Sequence, residues 1–148
     1  MASKRSKKPT YKTRHRFFLN PYQEHAFTRC PRCEGKTKVR KFPLVFHVEP
    51  QQMVILNKSC RYCQTCDLII ARQSELEPLL AASLEQAHPE LIGNEYLVVG
   101  VLERKDWRAG HEGKATASHI VDRLFIFEEV LDVKVEPGGW YPPQDRRQ

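Results

Sequence analysis

Large hydrophobic residues recur at every second position from residue 42 to residue 48, a pattern that indicates a β-strand with one buried face. These residues are Phe42, Leu44, Phe46 and Val48. A second apolar run, Met53 to Leu56, leads into the segment KSCRYC, and the segment EPQQ between the two runs has the composition of a chain reversal. The pattern therefore predicts a β-hairpin, followed by a short third strand at DLIIA.

The hydrophobic period changes to three and four residues in the next segment, which predicts an α-helix from Ser74 to His88. The residues on its apolar face are Leu76, Leu79, Leu80, Leu84 and Ala87. Ser74 and Glu77 match the S-x-x-E capping box at the start of this helix, and Pro89 ends it. An alternative start places Pro78 at the first helical position.

Three further segments follow the helix. The nearly continuous apolar run from Tyr96 to Glu103 predicts a strand that is buried on both faces. The polar segment from Lys105 to Ser118 predicts a long loop. The segment RLFIFEEVLDVKV is rich in β-forming residues and favours a strand, although its apolar residues are also spaced as on one face of a helix.

All five cysteines lie between residues 30 and 66, in the segments CPRCEG and CRYCQTCDL. Disulfide frameworks usually spread an even number of cysteines through a small exported chain. No apolar export signal follows the basic N-terminus, so we expect a cytoplasmic location. In such a reducing compartment, clustered cysteines more often bind metal than form disulfides.

The cysteine spacing predicts a Zn²⁺ site, because Zn²⁺ prefers four ligands in a tetrahedron and each C-x-x-C turn supplies two. Cys30 and Cys33 form the first pair. The second pair is either Cys60 with Cys63 or Cys63 with Cys66. We favour Cys63 with Cys66, because the chain then enters the turn as one strand and leaves it as the next. Cys60 is then a small buried apolar residue. The alternatives are iron in the same site, redox chemistry, or no metal at all.

Residues 28–72 resemble the zinc-ribbon, or rubredoxin-like, class of metal modules, in which two C-x-x-C knuckles on β-hairpins bind one ion. The resemblance implies four ligands: Cys30, Cys33, Cys63 and Cys66. We expect Gly35 to adopt the left-handed conformation that lets backbone N–H groups approach the sulfurs. Asp67 stands where a glycine commonly follows the last cysteine. A site with four cysteine ligands has no open position, so the metal is expected to be structural.

The predicted fold class is therefore α+β, with three segments along the chain. Residues 1–20 form a flexible basic arm, residues 28–72 a small β zinc ribbon, and residues 73–140 a small module of one helix and a short β-sheet.

Positive charge is concentrated at the N-terminus. The formal net charge of the chain is +6, but seven of its 24 cations lie in residues 1–16, where there is no acid. The other residues carry 17 cations against 18 acids. A second basic segment, KTKVRK, follows the first cysteine pair. Together these segments predict phosphate contacts at Lys4, Arg5, Lys7, Lys8, Lys12, Arg14, Arg16, Lys36, Lys38 and Arg40. The nearby aromatic residues Tyr11, Phe17, Phe18 and Tyr62 offer surfaces on which bases can stack.

These features favour a zinc protein that binds RNA or DNA as an accessory factor. The alternative is an adaptor, in which the ribbon and a strand-pairing C-terminal module bind a protein partner or a second copy of the chain. The chain contains no G-x-S-x-G, glycine-rich phosphate loop or H-E-x-x-H, so the motifs favour a non-catalytic role. No apolar run reaches the ~20 residues that a membrane span requires.

Overall fold

The computed structural model describes residues 12–111 and 122–133. Its strands are β1 (Arg16–Asn20), β2 (Lys38–Val48), β3 (Gln52–Cys63), β4 (Leu68–Arg72), β5 (Tyr96–Val101), β6 (Phe125–Ile126) and β7 (Glu129–Leu131). Its helices are α1 (Gln73–Glu85) and α2 (Arg104–His111), and a short 3₁₀ helix covers Pro89–Leu91.

The seven strands form one sheet in the order β6-β5-β2-β3-β4-β1-β7. The long hairpin of β2 and β3 lies at its centre and pairs in antiparallel register from Lys38 opposite Tyr62 to Val48 opposite Gln52. β1 pairs in parallel with both β4 and β7, although these strands are far apart in the chain. The N-terminal segment therefore contributes an internal strand of the sheet.

The sheet curls until its two edges meet. β6 and β7 lie at opposite ends of the strand order but are consecutive in the chain. On one side of this segment, Ile126 donates a backbone hydrogen bond to Lys12 and accepts one from Arg14, both at 3.0 Å. On the other side, Phe127 donates to the carbonyl oxygen of Val99 at 3.2 Å. One extended segment thus bridges the β1 and β5 sides.

Two hydrophobic clusters cover the two faces of β1 and β4. The larger cluster includes Phe17 of β1 and Ile69 of β4, and the buried leucines of α1 pack into it. The smaller cluster contains the neighbouring residues on those strands, and its buried members are Phe18, Phe27, Cys30, Cys63, Leu68 and Ile70. Because strands buried on both faces need a cover on each side, α1 covers one face and the cysteine turns cover the other.

The predicted α+β class is wrong, because the structure is mostly β, with one long curled sheet rather than a small ribbon followed by a helix and a short sheet. The physical reason is the length of β2. Its 11 residues pair with β3 on one side and with β5 on the other, so strands from the predicted ribbon and the predicted C-terminal module share one ladder. The boundaries proposed for the three segments stay a prediction.

Local predictions have mixed outcomes. The hairpin, the strand at DLIIA and the helix are confirmed, the helix as Gln73–Glu85. The capping box does not form, because the helix begins one residue earlier and no side chain caps it. The expected loop after Lys105 is wrong up to residue 111, where α2 lies, and most of its remainder falls outside the described residues. The strand from Tyr96 is not buried on both faces, since 66% of Leu97 is exposed.

Candidate metal centre

The first cysteine turn, CPRCEG, folds back on itself before β2 begins. Cys30 donates a backbone hydrogen bond to the carbonyl oxygen of Gly35 at 2.8 Å and accepts one from Glu34 at 2.9 Å. Two further N–H groups point at sulfur: Arg32 N lies 3.3 Å from Cys30 Sγ, and Gly35 N lies 3.4 Å from Cys33 Sγ. These contacts would stabilise negative charge on the two sulfurs.

Glycine is needed in this turn for space rather than for its backbone freedom. The left-handed residue is Glu34, with φ 65°, so the expectation that Gly35 adopts that conformation is wrong. A Cβ atom at position 35 would lie only 3.3 Å from Cys33 Sγ. Glycine therefore allows the backbone N–H to approach the sulfur closely.

The second turn connects β3 to β4. Cys63 is the last residue of β3, and its partner across the ladder is Leu68 of β4. Cys66 donates its backbone N–H to Cys63 Sγ at 3.4 Å. Asp67 has φ 55° and so takes the left-handed conformation that Glu34 takes after the first pair.

The two turns bring four sulfur atoms together. The Sγ atoms of Cys30, Cys33, Cys63 and Cys66 all lie within 4.8 Å of one another. Those of Cys33 and Cys63 are 3.5 Å apart. Zn–S bonds of about 2.3 Å in a regular tetrahedron place sulfurs about 3.8 Å apart. The four thiols therefore fit a tetrahedral metal ion.

The thiols have unequal proton affinities in the metal-free cluster. The backbone N–H of Gly35, followed by the hydrogen bond with Cys63, lowers the pKa of Cys33. Burial, followed by hydrogen bonds with Cys33 and Cys30, raises the pKa of Cys66 to about 12. Burial also raises the pKa of Cys63. Neighbouring thiolates repel one another, and this repulsion opposes the loss of protons from all four thiols. A bound cation would offset the repulsion and allow all four to deprotonate.

Cys60 lies apart from this cluster. Only 4% of it is exposed, and it belongs to the larger hydrophobic cluster on the α1 side of the sheet. Its Sγ contacts the carbonyl oxygen of Lys58 at 3.4 Å. Burial raises its pKa to about 12, as expected for a neutral thiol in a core.

An ionic network ties the first turn to the C-terminal strand. Glu129 of β7 accepts hydrogen bonds from Arg32 and from Arg16 through the same oxygen, both at 3.0 Å. Arg16 also donates to the carbonyl oxygen of Cys66 at 2.7 Å. The pKa of Glu129 is lowered by Arg32 and then by Arg16. Arg16 was predicted to contact phosphate, but in the structure it pairs with Glu129 and, at 3.1 Å, with Glu128.

A second hydrogen-bonded group supports the other turn. Asp67 accepts a hydrogen bond from Tyr62 at 2.5 Å, and His15 Nδ1 lies 2.6 Å from the same oxygen. Burial alone would raise the pKa of Asp67, but these hydrogen bonds hold it below its ordinary value. The sequence analysis missed His15, because the contact spans 52 positions.

The predicted basic stripe lines a groove beside the four cysteines. This basic groove has a volume of about 470 Å³ and is lined by Gly35, Lys36, Lys38, Val39, Arg40, Tyr62, Gln64 and Thr65. Its three cations are exposed. Arg40 also lines a second cavity of about 240 Å³, together with Arg14, Lys41, Arg104 and other residues.

The remaining predicted contacts fall into two groups. Lys4, Arg5, Lys7, Lys8 and Tyr11 lie outside the described residues. Lys12 and Arg14 are near the ring of Phe125, at 5.8 and 5.5 Å from its centroid. Phe17 and Phe18 do not offer stacking surfaces, since each is 1% exposed within a core cluster.

Comparison with known proteins found no matching family model and no similar curated protein or solved structure. In the described part of the chain, neither helix has the length and apolar character required to cross a membrane. The interpretation of the site therefore depends on its own geometry: four clustered cysteines that form a candidate metal site, with a basic groove beside them.

Proposed function

We propose that this protein binds nucleic acid as an accessory factor, and that a structural Zn²⁺ ion held by Cys30, Cys33, Cys63 and Cys66 stabilises its binding surface. The single observation that carries this proposal is the position of the basic groove. The two cysteine turns supply one of its walls, through Gly35 in the first turn and through Gln64 and Thr65 in the second.

Zinc is the metal that fits this role best. Four thiolates leave no position for water or substrate, so the ion would stabilise the two turns rather than catalyse a reaction. Cys30 and Cys63 are each only 1% exposed and pack with Phe18 and Leu68. Cross-linking them through an ion would therefore hold both turns against the face of β1 and β4 that lies opposite α1.

The charge of the surface supports a polyanionic ligand. The basic groove and the second cavity together are lined by six cations: Lys36, Lys38, Arg40, Arg14, Lys41 and Arg104. Among the residues that the structure describes, Glu103 is the only acid that lines either of them. The sequence before Lys12 adds four more cations and no acid. Such a concentration of one sign of charge attracts phosphates and makes binding depend on salt.

A salt series tests the proposal. Binding of the zinc-loaded protein to labelled RNA and DNA is measured by fluorescence anisotropy at several salt concentrations. Each lost phosphate contact should reduce the slope of log affinity against log salt by ~0.7–0.9. Lys38→Ala should therefore reduce the slope by about one or less, and deletion of residues 1–11, which carry four cations, by roughly three.

Arg108→Ala is the matched control, because Arg108 is an exposed cation on α2 that does not line the basic groove or the second cavity. Its affinity and slope should equal those of the wild type. Absence of binding at low salt, or equal effects of Lys38→Ala and Arg108→Ala, would contradict the proposal.

An adaptor is the second candidate, and one observation favours it. β6 pairs with β5 only at Gly100 and Val101, so among the described residues the first half of β5 has a strand partner on one side only. Leu97 in this half is 66% exposed. An added strand from a partner could pair there. Pull-down of a protein that is lost in Leu97→Lys, with no nucleic-acid binding, would favour this function.

A further inference from the structure

We infer that the basic groove selects single-stranded over double-stranded nucleic acid, because the guanidinium of Arg40 forms a platform on which an unpaired base stacks. This inference rests on the proposed function and specifies its ligand. Lys38 and Lys36, which precede Arg40 along the chain, would contact phosphates on one side of the stacked nucleotide.

The platform is built from one cation and two rings. The Cζ atom of Arg40 lies 5.2 Å from the ring centroid of Phe42 and 5.1 Å from that of Tyr62. The two ring centroids are 5.4 Å apart. Arg40 and Phe42 are two positions apart on β2, so they share a face, and Tyr62 reaches the same face from β3. Because the guanidinium lies against both rings, part of its conformational entropy is already lost before a ligand binds.

The rings beneath the guanidinium are held in place. Phe42 is 5% exposed and Tyr62 is anchored through its hydroxyl to Asp67 at 2.5 Å. His15 is 6% exposed, bonds to the same carboxylate, and packs edge-on against Phe42 at 5.4 Å between centroids. The platform is therefore rigid on its inner side, while Arg40 itself is exposed to solvent.

The groove has polar elements that phosphates alone would not require. The polar side chains of Gln64 and Thr65 line it from the second cysteine turn and are suited to hydrogen bonds with base edges. An unpaired base presents both a flat π-face and free edges, whereas the bases of a duplex are stacked on each other. This combination of surfaces fits a single strand.

The test compares three labelled probes with the zinc-loaded full chain. These are a single strand of about 12 nucleotides, the matched duplex, and the same single strand with abasic central positions. The length lies within the ~4–16 nucleotides that small single-strand binding folds cover. The abasic strand retains every phosphate and loses only the bases. RNA and DNA versions of the intact strand identify which sugar the groove prefers.

We expect the intact strand to bind at least about fivefold more tightly than the abasic strand, since stacking contributes ~1–3 kcal/mol per base, and more tightly than the duplex. Arg40→Lys keeps the charge but loses the planar surface, so it should remove most of this preference and leave the salt slope unchanged. Lys38→Ala should weaken all three probes alike. Circular dichroism and zinc content confirm that each variant is folded.

The outcomes separate the two proposals. If intact, abasic and duplex probes bind with equal affinity and a steep salt dependence, nucleic-acid binding stands and the single-strand inference is overturned. The same holds if Arg40→Lys retains the full preference for intact bases, because the platform is then not Arg40. If no probe binds at low salt, the proposed function itself fails.

Discussion

Serine substitution of each cysteine is the most direct perturbation of the candidate metal centre. Cys30→Ser, Cys33→Ser, Cys63→Ser and Cys66→Ser should each abolish tight metal binding, because each opens the tetrahedron, whereas Cys60→Ser should retain close to one zinc per chain. The structural reason is position: four Sγ atoms lie within 4.8 Å of one another, and Cys60 lies in the core on the α1 side of the sheet.

The size of the effect follows from linkage. An ion present at about 1,000 times its Kd stabilises the folded state by ~4 kcal/mol, and in a chain of this length 1 kcal/mol changes Tm by roughly 2–4 °C. Losing the ion should therefore lower Tm by roughly 8–16 °C. Cys60→Ser removes no ligand. The new hydroxyl can donate to the Lys58 carbonyl oxygen that the thiol contacts in the wild type, so we expect the free energy of unfolding to fall by only about 1 kcal/mol.

Elemental analysis and thermal melts of the five variants, with and without a chelator, measure both quantities. The chelator should lower the Tm of wild type and Cys60→Ser by the same amount and leave the four ligand variants almost unchanged. A metal-free Cys60→Ser protein would refute the assignment of the second pair. A wild type that loses its metal without any change in Tm would refute the structural role.

Three further predictions concern the turn, the core and one surface ion pair. Gly35→Ala should weaken metal binding in a competition titration with a chromophoric chelator, because its Cβ would lie 3.3 Å from Cys33 Sγ; unchanged affinity would show that the turn relaxes freely. Phe127→Ala should reduce the free energy of unfolding in urea by about 3–5 kcal/mol, because Phe127 is 9% exposed and its ring stacks on that of Phe17 in β1, at 4.6 Å between centroids. A loss below about 1 kcal/mol would mean that the β6–β7 segment is not part of the core. Glu75→Gln should cost at most about 1 kcal/mol at pH 7, because the hydrogen bond from Lys58 lowers the pKa of the half-exposed Glu75. The stabilisation is present above the unfolded pKa of about 4.5 and is lost as pH falls through the lower folded pKa, so the urea curves of the two proteins should converge at acidic pH.

Local pattern was enough to predict the hairpin and the helix. The alternation from Phe42 to Val48 places these residues on one face of β2 whatever strand lies beside it, and the spacing of the leucines at positions 76, 80 and 84 places them on one face of α1. The two C-x-x-C turns were also visible, because a metal-binding turn is a contact between near neighbours in the chain. These features depend on separations of two to four residues.

The partners of the strands were not visible in the sequence, and this is why the fold class was wrong. β1 pairs with β4 and β7, which follow it by 52 and 113 positions, and no local period encodes such a pairing. Phe17 and Phe18 therefore appeared to be the end of an arm, whereas the sheet buries them on opposite faces. Burial on both faces is a property of the assembled sheet and not of the segment.

The candidate site divides in the same way. The chain alone identified the cysteine pairs and the stripe of Lys36, Lys38 and Arg40, which follow from a turn and a strand. Only the tertiary structure placed that stripe beside the cysteines and placed the guanidinium of Arg40 over Tyr62, because this contact requires the register between β2 and β3. It also brought His15 to Asp67. The sequence determined which faces its segments present, and the long-range pairing of those segments determined which side chains meet.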